Sequence, residues 1–160
     1  MASKKTAKKT AKRSSQPDAI ALLKADHKSV KDLFKQFESA RTDTRKIKIA
    51  STICQELIVH TSIEEEILYP AARTVLGDED MLDEAEVEHQ SAKDLIAQIE
   101  AGEPGKDMWE AKVKVLGEYI EHHVKEEETE MFPKVRKTKL DLKEMGAQLA
   151  ERKRELQQQK

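Results

Sequence analysis

The sequence contains little of what disulfide-stabilised, secreted or membrane-spanning proteins need. Its single cysteine, Cys54, excludes a disulfide within the chain and fits a reducing compartment. No apolar run approaches the roughly 18 residues that a membrane-spanning helix requires. The basic N-terminus has no apolar stretch behind it, so it is not predicted to be a secretory signal. We therefore expect a cytoplasmic protein without membrane contact.

Glycine is also scarce, and the β-branched residues do not alternate with polar ones as they do in strands. Lys, Glu, Ala and Leu are abundant instead, which favours an all-α protein. A chain of 160 residues is long enough for one domain with a substantial core. Four apolar seams with steps of three and four residues, joined by short connections, predict an antiparallel up-down-up-down four-helix bundle over residues 18–135.

Turn and capping signals place the ends of these helices. They are predicted to cover residues 18 to about 39, about 43 to 70, 78 to about 101, and 107 to 133. Asp18 is a suitable N-cap for the first helix, and Asp107 forms a capping-box-like pair with Glu110 at the start of the fourth. Pro70 and Pro133 should end or kink the second and fourth helices.

The two ends of the chain differ in composition from the predicted bundle. Residues 1–17 are rich in Lys, Ala, Thr and Ser, and the first 13 carry six basic side chains and no acidic one. Such a segment buries too little apolar surface to become ordered, so we predict a disordered tail. It either binds nucleic acid non-specifically or only improves solubility. Residues 136–160 form either a charged C-terminal helix, which docks weakly or extends away, or a frayed tail.

One motif occurs twice, from His60 to Pro70 (HTSIEEEILYP) and from His123 to Pro133 (HVKEEETEMFP). In each copy a Glu follows the His by four residues, as Glu64 follows His60. Residues four apart lie one above the other on the same face of a helix, so each copy presents an imidazole and a carboxylate to one metal ion. Two such pairs suggest a two-metal site between helices.

The other histidines extend this pattern. Four of the five lie on apolar seams, one in each helix: His27, His60, His89 and His123. A lone histidine on an apolar face is more often a core residue, but here two seam positions also hold Glu64 and Glu127. Buried ionised carboxylates without partners cost several kcal/mol, and a pair of cations would remove that cost. His122 lies 100° around its helix from His123 and is expected on the outer face or beside a ligand.

The donor set constrains the metal. No cysteine accompanies the motifs, which argues against a thiolate zinc site, whereas mixed imidazole and carboxylate donors in a helix bundle favour two irons. Four histidines, two bridging carboxylates and one bridging oxygen supply about ten of twelve bonds. Room then remains for an outside ligand, and Glu65, Glu86 or Glu126 could supply another carboxylate. The ferritin-like pattern of two Glu-x-x-His motifs is only half present, at Glu86 to His89.

The arrangement resembles the hemerythrin family in its bacterial HHE cation-binding branch. The resemblance covers about residues 18–135 and is carried by four stretches: Asp26-His27, His60 to Pro70, Glu88-His89 and His123 to Pro133. It implies a non-haem, oxo- or hydroxo-bridged di-iron centre, with manganese less favoured. The implied ligands are His27, His60, Glu64, His89, His123 and Glu127, with the two glutamates bridging.

This chain departs from the oxygen-carrying hemerythrins, which have a His-x-x-x-His pair on the third helix. Ala85 and Lys93 stand one turn either side of His89, so one nitrogen ligand is missing. The resemblance therefore implies binding or sensing of oxygen, peroxide or nitric oxide, or iron sequestration. A di-iron enzyme with catalase-like or ferroxidase activity, and a polyanion-tethered interaction module, are the alternatives. Tyr69 and Tyr119 could supply hydroxyls, but ordinary packing is the better-supported role for both.

Overall fold

The computed structural model describes residues 16–159, and all regular structure within that range is helical. The helices run in the order α1 (Ala19–Ser39), α2 (Asp43–Ile63), α3 (Tyr69–Leu76), α4 (Glu79–Ala101), α5 (Trp109–Glu126), α6 (Phe132–Arg136) and α7 (Leu142–Gln158). The tail predicted over residues 1–17 lies almost wholly outside the described residues. Within them, no helix is both long and apolar enough to cross a lipid bilayer.

The predicted four-helix bundle is confirmed, and side-chain caps fix three of its helix starts. The Asp18 carboxylate accepts the Ala21 N–H at 2.8 Å at the start of α1, as predicted. At the start of α2 the Thr42 hydroxyl accepts the Arg45 N–H, and at the start of α4 the Asp78 carboxylate accepts the Met81 N–H. These caps satisfy backbone N–H groups that have no partner within the helix, so short polar sequences are sufficient to begin each helix.

The predicted capping box at the start of the fourth helix is wrong. Asp107 and Met108 both have left-handed backbone angles, with φ of 51° and 60°, and α5 begins at Trp109 without a side-chain cap. The Glu110 carboxylate instead accepts the Gly105 N–H at 3.0 Å. Trp109 is almost fully buried and its indole N–H donates to the Ile99 carbonyl at 2.9 Å. Burying this side chain outweighs the local preference for a capped start.

The second and fourth bundle helices widen into a π-helical turn at the same point of the repeated motif. These turns are Glu64–Leu68 and Glu127–Met131, and each begins at the motif glutamate. The Tyr69 N–H donates to the Glu64 carbonyl five residues back, rather than four. Pro70 and Pro133 have no N–H to donate, so the wider turn lets the chain pass them while remaining helical. Both helices therefore continue as α3 and α6.

The C-terminal segment forms a helix that packs on the bundle rather than a frayed tail. Met145 and Leu149 of α7 are buried in the same apolar cluster as the first turn of α1. Gly146 faces the backbone of residues 17–19 so closely that a Cβ atom there would overlap it. The Lys153 ammonium also lies 2.5 Å from the Asp26 carboxylate.

The apolar core is divided into two clusters along the bundle. One contains Leu23, Leu68 and Leu149, and the other contains Val30, Leu57 and Trp109. In each bundle helix a histidine falls between the residues of one cluster and those of the other. A polar layer therefore lies between two apolar ones, and this position excludes most water from it.

Candidate metal centre

The structure brings together all six side chains that the sequence singled out. Each is at most 7 % exposed, and Glu64 is completely buried. They come from all four bundle helices and their π-helical turns: His27, His60, Glu64, His89, His123 and Glu127. Their ligand atoms fall into two groups of four, and both groups contain the two glutamates.

The first group joins α1 to α2. His27 Nε2 lies 3.2 Å from His60 Nε2 and 3.2 Å from Glu127 Oε1. His60 Nε2 lies 3.3 Å from Glu64 Oε1, the carboxylate one turn along its own helix. The predicted stacking of imidazole and carboxylate is therefore present, and a histidine from the neighbouring helix completes the group.

The second group joins α4 to α5 in the same way. His89 Nε2 lies 3.2 Å from both His123 Nε2 and Glu64 Oε1. His123 Nε2 lies 3.2 Å from Glu127 Oε2. Each glutamate thus touches a histidine of both groups, which is the arrangement of a carboxylate that bridges two ions.

These spacings fit first-row metal ions. Donor atoms bound at about 2.1 Å lie about 3.0 Å apart at right angles and about 3.4 Å apart in a tetrahedron. The observed separations of 3.2–3.3 Å fall between these values. Two buried oxygens, Glu64 Oε2 and Glu127 Oε1, also make no hydrogen bond, although His27 Nε2 approaches the latter. A cation would satisfy both oxygens, so the donor set fits a pair of ions.

A carboxylate holds the second nitrogen of every one of the four imidazoles. The four Nδ1–H donors and their acceptors are His27 to Glu128 (2.6 Å), His60 to Asp26 (2.9 Å), His89 to Glu65 (2.9 Å) and His123 to Glu88 (2.7 Å). This bond fixes the tautomer in which Nε2 carries a lone pair toward the centre, and it raises the basicity of that nitrogen. All four rings are therefore oriented as metal ligands.

The hydrogen bonds of the α1–α2 half recur in the α4–α5 half, so the two halves of the chain form an internal repeat. Adding 62 to a position in α1 gives its counterpart in α4, as from His27 to His89, and adding 63 relates α2 to α5, as from His60 to His123. Asp26 and Glu88 occupy matching positions and bond matching histidines. The doubled sequence motif is therefore part of a larger internal repeat.

The repeat is broken where Tyr69 matches Phe132. The Tyr69 hydroxyl donates to Glu127 Oε2 at 2.7 Å and lies 3.2 Å from His89 Nε2 and 3.4 Å from His123 Nε2. Phe132 stacks on His27 in the other half and offers no polar atom. The second group thus has a fifth donor that the first lacks. Packing was the expected role of Tyr69, and the structure places its hydroxyl inside the centre.

Charge within the centre is balanced by the histidines. Burial lowers the pKa of His60, but the charge of Glu64 and the hydrogen bond to Asp26 outweigh it and raise the value to about 10. Burial opposes charge on His123 as well, yet hydrogen bonds to Glu127 and Glu88 raise its pKa well above the usual range. Protons on imidazoles can therefore neutralise the carboxylates, and a metal ion must displace them.

The same environment lowers the pKa of Glu127 and raises the pKa of Tyr69. Burial raises the pKa of the Glu127 carboxyl, but interactions with the neighbouring Glu64, His123 and His27 hold it well below its usual range. Burial and the two neighbouring carboxylates raise the pKa of the Tyr69 phenol well above its usual value. Glu127 is thus an anion available to bridge, while Tyr69 keeps its proton until a cation lies beside it.

Other candidates from the sequence lie outside the centre. Glu86 is 3.4 Å from Arg73 on the surface, so the half-present ferritin-like pattern does not supply a ligand. Glu65 does not face the centre; it accepts the Nδ1–H of His89 on the other side of the ring. Tyr119 is 48 % exposed and so lies at the surface rather than in the buried centre. His122 and Glu126 lie together on the outer face, 3.1 Å apart, as expected for a histidine off the seam.

Comparison with known proteins agrees with this geometry. The family model described as hemerythrin HHE cation binding domain matches residues 18–135. A protein called DNA nickase, from Nostoc sp. strain PCC 7120, is 29% identical over 115 residues. That match covers 72% of this chain but 32% of the relative, so the chain spans about a third of the relative's length.

A solved structure has the same fold. It is a hemerythrin HHE cation binding domain-containing protein from Mycobacterium kansasii, with a TM-score of 0.77 and 23% sequence identity. The similarity covers 89% of each chain. The shared length therefore extends beyond the four bundle helices, and at this identity it is evidence for the fold alone.

Replacing Glu64 by Gln tests whether the centre binds metal through its bridging carboxylates. The amide keeps the shape but removes the charge, so the amount of bound metal per chain should fall to half that of the wild type or less. The melting temperature of the metal-loaded protein should fall toward that of the metal-free protein. Elemental analysis and calorimetry measure both quantities.

The matched control is Glu38→Gln, the same change at an exposed position of α1. It should leave metal content and melting temperature unchanged. Equal metal content in the two variants would contradict the assignment of Glu64.

Proposed function

The chain belongs to the hemerythrin HHE cation-binding domain family, and from this we propose that it holds two non-haem iron ions that bind or react with oxygen, peroxide or nitric oxide. His27 and His60 would hold one ion, and His89 and His123 the other. Glu64 and Glu127 would bridge them. The observation that carries the proposal is the pair of four-donor groups that share both carboxylates.

The donor types support iron over other metals. Four imidazoles and two carboxylates, without thiolates, form a mixed set that suits iron, and manganese is the less favoured alternative because it prefers oxygen donors. The four carboxylates behind the rings add negative charge, which stabilises higher oxidation states of the bound ions. Such a centre would supply reversible electron transfer to or from a small ligand.

We also propose that Tyr69 acts within the second group. Its hydroxyl lies among His89, His123 and Glu127, and His89 is the third-helix histidine that here lacks the second histidine of the oxygen-carrying pattern. A phenol at that place either adds an oxygen ligand or donates a proton to a small molecule bound between the ions. Both roles differ from those of a nitrogen-rich site and favour sensing, peroxide handling or iron storage over oxygen carriage.

Exchanging Tyr69 and Phe132 tests this asymmetry. Tyr69→Phe should keep the iron content, because six ligands remain, but should abolish any visible phenolate-to-iron absorption and change the reaction with peroxide. Phe132→Tyr is the mirror variant, since it adds a hydroxyl beside His27. Absorption spectra of Tyr69→Phe and wild type that agree in both band position and intensity would exclude coordination by Tyr69.

An enzyme is the second candidate, and the protonated Tyr69 beside the bridging carboxylate favours it. Catalase-like turnover converts two peroxide molecules into one oxygen and two waters, which requires a proton donor and acceptor at the site. Oxygen release from peroxide and oxidation of ferrous iron by oxygen, both measured on iron-loaded protein, test this candidate. We expect repeated turnover if the protein is an enzyme and at most one equivalent if it is a binding protein.

We propose, finally, that the basic segment of residues 1–17 contacts nucleic acid without sequence preference. Six cations near the start of the chain could neutralise phosphates and release counterions. The Nostoc relative is described as a DNA nickase. We carry over contact with DNA and not strand cleavage, because the chain spans about a third of that protein.

Removing residues 1–17 should weaken DNA retention, and the retention of the full chain should fall steeply as salt rises. Filter binding of a random duplex at two salt concentrations measures both effects. A variant of full length with the six basic residues replaced by Gln keeps the length of the segment but removes its charge. It should behave like the deletion if the charge is what binds DNA. Retention that is equal in all three proteins would overturn the proposal.

A further inference from the structure

The two halves of the bundle differ in how their outer faces are covered. On the α1–α2 side, Val59 and Ile63 are buried and α7 lies over the face. Lys153 of α7 also pairs with Asp26, the carboxylate behind His60. That approach to the centre is closed by apolar packing and by a positive charge.

On the α4–α5 side, metal-binding groups replace the apolar residues. By the internal repeat, Val59 matches His122 and Ile63 matches Glu126. His122 Nε2 lies 3.1 Å from Glu126 Oε1 and 3.5 Å from Glu88 Oε2. The ligand atoms of these three residues all lie within 4.8 Å of one another, which is close enough for one ion to contact all of them. The side chains of His122 and Glu126 are 65% and 40% exposed, so ions in solution can reach them.

Glu88 connects this outer cluster to the buried centre. One of its oxygens faces His122 and the other accepts the Nδ1–H of His123 at 2.7 Å. A cleft of about 20 Å³, room for about one water molecule, lies beside these residues. The cleft is lined by Glu88, Glu126, His123 and the buried Glu127. Glu127 Oε2 lies 3.2 Å from His123 Nε2, and the other oxygen of this carboxylate, Oε1, makes no hydrogen bond.

The charge around the cleft favours cations. Glu84 and Glu130 line it together with Glu88, Glu126 and Glu127, and none of the described residues that line it is Lys or Arg. A cleft lined by one sign of charge raises the local concentration of the opposite ion and speeds its association. On the other half, the carboxylate that matches Glu88 is Asp26, and it pairs with the positively charged Lys153.

We propose that Glu88, His122 and Glu126 form a transit site through which a divalent metal ion, ferrous iron in the cell, enters the buried centre. The ion binds first at the outer cluster and then passes between α4 and α5 toward His123 and Glu127. The site controls the rate of loading and not the final occupancy, because it lies outside the two four-donor groups. This inference rests on the proposed metal centre.

Uptake kinetics of Co²⁺ by metal-free protein test the proposal, with growth of visible cobalt absorption as the readout. His122→Ala and Glu126→Gln should each slow uptake by about tenfold or more at low salt. Both variants should reach the final stoichiometry of the wild type. Glu121→Gln, an exposed residue of α5, makes the same charge change outside the cleft and should load at the wild-type rate.

Two further results are informative. If the wild type loads its centre and all three variants load at its rate, the transit site is wrong and the metal centre stands. If the wild type binds no Co²⁺ in the centre, the proposed function fails and the transit site fails with it. Final stoichiometry, measured in the same samples, distinguishes the two cases.

Discussion

The fold depends on how two fully buried carboxylates are neutralised. Glu64 and Glu127 lie in a layer of the bundle that separates two apolar clusters, where an unpaired ionised carboxylate costs several kcal/mol. Four imidazoles from four helices surround them at hydrogen-bond distance. Protons on those rings or cations between them can supply the positive charge, and the unbonded oxygens of both glutamates favour cations. Binding of metal is therefore coupled to the packing of the whole bundle.

Much of the surrounding structure positions the side chains of this layer. The π-helical turns begin at Glu64 and Glu127, where they carry the chain past Pro70 and Pro133 without ending the helix. A second ring of carboxylates holds the outer nitrogens of the imidazoles. The internal repeat explains why these features occur in pairs. Departures from the repeat then make the halves chemically different: the Tyr69 hydroxyl lies beside one four-donor group, and α7 covers one face while leaving the other open.

The fold and the six central residues could be predicted because each follows from a strong local pattern. Seam periodicity defines the helices, and the His-x-x-x-Glu spacing places both side chains on one helical face, as for His60 and Glu64. The family suggested by these residues is confirmed. Long-range contacts were harder to predict. Glu65 and Glu128 read as part of a solvated acidic face, because the sequence does not show which neighbouring helix lies opposite them.

Tyr69 and the start of the fourth helix illustrate the same limit. An aromatic residue before a proline is usually a packing residue, and the place of its hydroxyl depends on the π-helical turn, which sequence patterns do not reveal. Asp107 has the right spacing for a cap, but burial of Trp109 determines the turn. The docking of α7 depends on Gly146 fitting against residues 17–19, a contact between distant parts of the chain.

The most direct test of the central claim is anomalous X-ray diffraction from crystals of the iron-loaded protein at the iron absorption edge. We predict two peaks, about 3.5–4 Å apart. One should lie within bonding distance of the Nε2 atoms of His27 and His60, and the other of His89 and His123, with Glu64 and Glu127 between them. A single peak, or peaks confined to the surface, would contradict the account.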